Sequence, residues 1–100
     1  MASKKNRLKE LINEGKAKRQ ALNDWIQDDE MLVADGLDAA IIGVTDGCME
    51  PVVVYDYQKC IEIFMAEGMK EEDAMEHMSF NVTGGYVGSR TPIFVRFIDA

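Results

Sequence analysis

The first 27 residues read as one amphipathic helix, so a self-sufficient core has to come from the ~70 residues behind it. A single core of that size contributes roughly 3–5 kcal/mol, and burial against a second copy is the natural remedy. A homodimer or higher oligomer is therefore expected. With Ser3 as a cap, Leu8, Leu11, Ile12, Leu22, Trp25 and Ile26 fall on one helical stripe. Followed as a three-four seam, the stripe runs Leu8, Leu11, Gly15, Lys18, Leu22, Trp25, apolar at its ends and not in its middle. Glycine costs about 1 kcal/mol relative to alanine inside a helix, so the helix is expected to kink or loosen near Gly15. Leu22, Trp25 and Ile26 are expected to dock on the body. Leu8, Leu11 and Ile12 need cover from another surface. These six residues form the expected oligomer interface.

Charge divides the chain at the same place. Residues 1–25 hold seven cations against three acids, a net of +4, while residues 26–100 hold four against fifteen, a net of −11. The acidic body repels phosphates, which disfavours nucleic acid as its partner. The basic helix is expected to lie on an acidic surface, of its own body or of a neighbouring copy. Two organisational units follow: a basic helix at 1–27 and an acidic body at 28–100.

A hydrophobic fraction of 47% argues against disorder of the whole chain. Met1-Ala2-Ser3-Lys4-Lys5 leads into a charged helix, so no signal peptide is expected, and no apolar run reaches the ~20 residues of a membrane span. Cys48 and Cys60 are too few for a disulfide scaffold, and a reducing cytoplasm is the expected compartment.

Within the body, Ala39 to Val44 is an apolar run that periodicity cannot assign; the turn chemistry of Thr45-Asp46-Gly47 favours a strand over Ala40 to Val44. Val52 to Tyr55 is the clearest strand. Asp56 caps a helix from Tyr57 to Glu67, closed by Gly68, with Cys60, Ile61, Phe64 and Met65 on its apolar face. A second helix covers about 71–83, buries Ala74, Met75, Met78 and Val82, and stops at Gly84-Gly85. Pro92 opens a last strand, Ile93 to Phe97. The expected fold class is α+β: a small, mainly antiparallel three-stranded sheet with two packed helices, preceded by the long basic helix.

Val54-Tyr55-Asp56-Tyr57, Glu67-Gly68-Met69, Glu71-Glu72-Asp73-Ala74 and Phe80-Asn81-Val82-Thr83-Gly84-Gly85-Tyr86-Val87-Gly88, ending in Thr91-Pro92-Ile93-Phe94, are the pieces that carry a likeness. This stretch, somewhat under half the chain, resembles a family of small uncharacterised proteins of bacteriophages and some bacteria. The family has no established activity. The resemblance implies a phage or bacterial cytosolic origin; that origin, together with the acidic charge, gives the expectation of a protein that modulates a host macromolecule.

The polar, glycine-assisted loop from Asn81 to Pro92 is the candidate ligand site, through Asn81, Tyr86, Ser89, Arg90 and Thr91. Its glycines lack the spacing of a phosphate-binding fingerprint and equally suit a turn. The acids Asp28, Asp29, Glu30, Asp35 and Asp38 lack calcium-loop spacing. Cys60 reads as a small buried hydrophobe, Cys48 has acidic neighbours that oppose a thiolate, and His77 has no catalytic companion in sequence. No metal, cofactor or catalytic residue is expected. The function expected is non-enzymatic binding, by an oligomer that contacts itself and a host protein, with no membrane contact. The alternative is a small-ligand or nucleotide-binding module built on the Asn81–Pro92 loop.

Overall fold

The computed structural model describes residues 4–26, 31–47, 50–85 and 87–99. The leading helix, α1 (Lys4–Trp25), runs without interruption through Gly15. A 3-10 turn at Asp38–Ala40 feeds β1 (Ile41–Val44), so the ambiguous apolar run is a helical turn followed by a strand. After β2 (Val53–Asp56) come α2 (Tyr57–Ala66), α3 (Glu71–His77), a π-helical continuation at Met78–Thr83, and β3 (Ile93–Val95). The cap expected at Ser3 lies outside the described residues.

Local chemistry sets the limits of α2. Asp56 Oδ1 accepts the Lys59 N–H at 3.3 Å, which satisfies one of the orphan donors at the helix start. At the other end Gly68 has φ +114°, and the Gly68 and Met69 N–H groups return to the carbonyls of Met65 and Phe64, both at 3.0 Å. That pair of bonds is the Schellman closure, which favours glycine.

The fold is α+β, and its three-stranded sheet, ordered β1-β2-β3, is mixed rather than mainly antiparallel. β1 and β2 are antiparallel, joined by a short connection; β2 and β3 are parallel. The parallel pairing arises because α2 and α3 carry the chain back along the sheet before β3 begins. Ile41 and Gly43 face Tyr55 and Val54, which leaves Ile42 as the extra residue of a β-bulge.

One face of the sheet lies on the core. Val53 and Tyr55 are fully buried there, and the Tyr55 ring stacks on Phe94 with centroids 5.2 Å apart. Leu37, Cys60, Ile63, Phe64, Ala74 and Met78 complete that interior. The Tyr55 hydroxyl accepts the Ala34 N–H at 2.7 Å, fixing the segment between α1 and the 3-10 turn. Burial pushes this phenol up to about 12, with the charge of Asp38 adding to the shift. Met75, expected in the core, is exposed; Ala74 and Met78 take the buried positions of that helix.

α1 is not a projecting arm. Leu11 belongs to the same core as Leu37 and Ile63 and is only 3% exposed, while Leu22 packs on its margin. Gly15 is where α1 crosses the 3-10 turn. A Cβ on it would stand 3.1 Å from the Ala39 nitrogen and 3.2 Å from Asp38 Cβ. The missing side chain thus permits close approach of two backbones, and the expected kink is absent. Residues 1–27 and 28–100 are accordingly not separate units where described.

The basic charge of α1 is spent on its own acidic body. Arg7 Nε donates to Glu62 Oε1 at 2.7 Å, Lys18 Nζ donates to the Ala39 carbonyl at 2.7 Å, and Arg19 lies 3.5 Å from Asp38. Glu14 reverses the polarity, meeting Lys59 at 3.0 Å and Lys18 at 3.3 Å. Desolvation works to raise the Glu14 pKa, but the hydrogen bonds from the two lysines prevail and hold it below its ordinary value.

Candidate functional site

Among the cavities of the described residues, two adjoin the candidate surfaces. The first is a groove of about 430 Å³ beside the π-helical turn. Its walls are largely apolar, including Leu32, Val33, Phe64, Val82, Pro92 and Phe94, and its polar groups are Asp35, His77, Asn81 and Thr91. The wider π turn ends at Gly84, where a Cβ would come within 2.5 Å of the Ser79 carbonyl oxygen. His77 packs edge-on against the Phe64 ring with centroids 4.7 Å apart, and the Asn81 amide nitrogen lies 3.2 Å from His77 Nδ1.

This groove gathers only part of the loop read from sequence. Asn81 and Thr91 line it; Ser89 and Arg90 do not. Thr91 is occupied with its own turn, its hydroxyl donating to the Gly88 carbonyl at 2.6 Å and accepting the Val87 N–H at 2.9 Å. Ser89 Oγ donates to Glu50 Oε2 at 2.9 Å. Of the expected residues, Asn81 and Thr91 thus share the groove, and Ser89 and Arg90 are not among its lining. Tyr86 lies outside the described residues. His77 and Asp35, absent from the expected set, join Asn81: His77 by the i, i+4 spacing of one helical segment, Asp35 through folding that no local pattern reports.

The second surface is the side of the sheet opposite the core. A parallel register puts Ile93 beside Val54, and the bulge turns Ile42 and Gly43 toward the same Val54. Ile42 is 44% exposed and Ile93 43%. Val54 is half-buried between them. Next to β1 this face opens into a groove of about 400 Å³, lined by all four β1 residues and by Lys18, Ala21, Leu22 and Trp25 of α1. Those four α1 positions follow the i, i+3, i+4, i+7 spacing of a single helix face. Trp25 is 71% exposed.

The interface expected along α1 is redistributed accordingly. Leu11 is withdrawn into the core, Leu8, Leu22 and Ile26 are half-buried, and only Ile12 and Trp25 remain openly exposed. Of the three residues expected to dock on the body, Leu22 packs on the core and Ile26 is half-buried, while Trp25 stays exposed. The sheet face was missed because Val52 to Tyr55 is apolar at every position and reads as buried on both sides. The signal available was that the body supplies only two further helices, enough to cover one side.

The remaining chemical groups do not assemble. Cys60 is fully buried, and burial pushes its thiol up to about 12, far from a thiolate at neutral pH. Cys48, Asp28, Asp29 and Glu30 lie outside the described residues, and Asp38 is engaged by Arg19. Among the described residues no three His, Cys, Asp or Glu side chains are grouped to hold a metal, and no helix is long and apolar enough to cross a membrane.

Comparison of the chain with models of protein families, with curated proteins and with solved structures finds no match.

Proposed function

We propose that this chain is a non-enzymatic interaction protein that works as an oligomer, with a second copy of itself as first partner. The observation that carries this reading is the sheet face opposite the core, where Ile42 and Ile93 are exposed, Val54 is only half-buried, and Trp25 lines the adjoining groove. An apolar strip of that kind, continuous with a groove, is the usual mark of a protein-interaction surface. The resemblance to small phage and bacterial proteins extends the proposal to a host macromolecule as a further partner, in a reducing cytoplasm.

Trp25 is the only tryptophan in the chain, so its emission reports this surface directly. As concentration is raised, the emission is expected to shift to shorter wavelength while the mass in light scattering climbs from 11.2 kDa toward twice that value. A mass fixed at 11.2 kDa with no spectral change would contradict self-association.

A second reading, a small-ligand module, is favoured by the groove that holds His77 and Asn81. Arg90 does not line that groove, so Asn81 is the side chain that discriminates. In a thermal-shift screen of nucleotides and small aromatic compounds, a stabilisation lost in Asn81→Ala would support this reading. No stabilisation by any compound would dispose of it.

A further inference from the structure

We propose that the groove beside the π-helical turn holds an uncharged, flat nitrogen heterocycle that bears an amino group, of nucleoside size and without phosphate. This rests on the second reading above, a small-ligand module, and names the chemistry such a ligand must have.

Size and walls come first. The groove encloses about 430 Å³, near the lower end of the ~300–1,000 Å³ range of small-molecule sites. Two of its lining residues, Phe64 and Phe94, are each held by another ring of the fold, Phe64 by His77 edge-on and Phe94 by the stacked Tyr55. These walls are in place before a ligand arrives, which lowers the cost of binding. Aromatic and aliphatic walls favour a planar ring whose faces are apolar.

The polar groups decide what the edge of that ring carries. An amide nitrogen only donates, so the Asn81 nitrogen at 3.2 Å makes His77 Nδ1 an acceptor. In the neutral imidazole the proton then sits on Nε2, which is left as a donor. Asn81 keeps its carbonyl oxygen as an acceptor, and Asp35 adds an exposed carboxylate. The Thr91 proton is spent on the Gly88 carbonyl. One donor and two acceptors remain, which an amino group beside a ring nitrogen answers.

The turn that carries Asn81 is a second mark of a site. Met78–Thr83 is π-helical, a rare form that recurs at functional sites. Charge excludes the phosphate. Among the described residues no lysine or arginine lines the groove, and with His77 neutral its formal charge is that of Asp35. A phosphate would meet like charge there, whereas an amino group donates to it.

The test is titration of the full chain with adenosine, guanosine, cytidine and uridine, and with adenosine monophosphate and triphosphate, followed by amide chemical shifts. The expected result is saturable binding of the three amino-bearing nucleosides, with shifts centred on His77, Asn81 and Phe94. Uridine, which lacks the amino group, is expected to bind less tightly. A phosphate is expected to weaken adenosine on the order of tenfold. Two variants at exposed positions, checked for folding by circular dichroism, locate the contacts. Asn81→Ala is expected to weaken every nucleoside on the order of tenfold. Asp35→Asn is expected to bring the monophosphate to within about twofold of adenosine. If one variant fails to fold, the other still decides. Nucleotides that bind the wild type as tightly as adenosine overturn the inference, as do nucleosides that bind both variants and the wild type equally. Either result leaves the small-ligand reading with a different chemistry. Binding of none of these compounds also overturns the inference, and the reading itself falls if the wider screen of aromatic compounds is empty too.

Discussion

Leu11→Asp is expected to unfold the whole domain cooperatively rather than to release a helix from an intact body. Leu11 is 3% exposed in a cluster that also contains Leu37, Ile41, Ile63 and Phe64. Replacing it with aspartate deletes the buried side chain, worth about 2–5 kcal/mol on truncation alone. The change also places a carboxylate in the apolar interior, a further cost of several kcal/mol unless the acid is neutralised. For a domain of this size the sum approaches the entire stability of about 5–15 kcal/mol. Far-ultraviolet circular dichroism during urea titration reads the result, which should be an unfolded or barely folded chain. Retention of a cooperative transition, with loss of helical signal confined to about one helix, would mean that α1 is an appendage.

Gly15→Leu carries the second large effect, expected to be a destabilisation of about 2–3 kcal/mol although it improves helix propensity. Helix propensity alone predicts a gain of up to about 1 kcal/mol from removing a glycine. Against this stands the crossing of α1 over the 3-10 turn, where even a Cβ would lie 3.1 Å from the Ala39 nitrogen. Ala39 and Ala40 are buried and the turn is tied to Lys18, so the backbone has little room to retreat. Overpacking of this kind costs typically 1–3 kcal/mol and more when the obstacle is main chain. The midpoint of a urea transition decides the sign. A stabilised variant would show that Gly15 merely weakens a helix, as its propensity implies.

These two positions also explain what the sequence could and could not disclose. The caps of α2 are local events, a carboxylate accepting an N–H three residues on and a glycine at positive φ, and Asp56 and Gly68 were readable as such. Gly15 carries the same local signature as a helix breaker. Only the approach of Asp38 and Ala39, more than twenty residues away, turns it into a packing residue. The sheet followed the same rule. Strand identity was visible in Val53 to Tyr55, but the direction of β3 depended on how two helices return the chain, which no residue pattern encodes. The meeting of His77 with Asn81 follows the i, i+4 spacing of the helix expected over 71–83, whereas the π-helical form of Met78–Thr83 had no local mark. Of the expected ligand residues, Asn81 and Thr91 line the groove, while the hydroxyls of Ser89 and Thr91 already have partners of their own. Sequence identified polar groups correctly and could not say which were already engaged.

The functional account turns on where apolar surface is covered and where it is left open. α1 covers part of the core, and among the described residues the outer face of the sheet at Ile42 and Ile93 and the α1 residues Ile12 and Trp25 are among the apolar groups left open. Native-state hydrogen exchange on the full chain, resolved residue by residue along α1, tests this most directly. The account predicts that the amides around Leu11 to Lys18 open with the same free energy as the central amides of α2, in one cooperative unit. Opening of those α1 amides far below that free energy, while α2 stays protected, would contradict it.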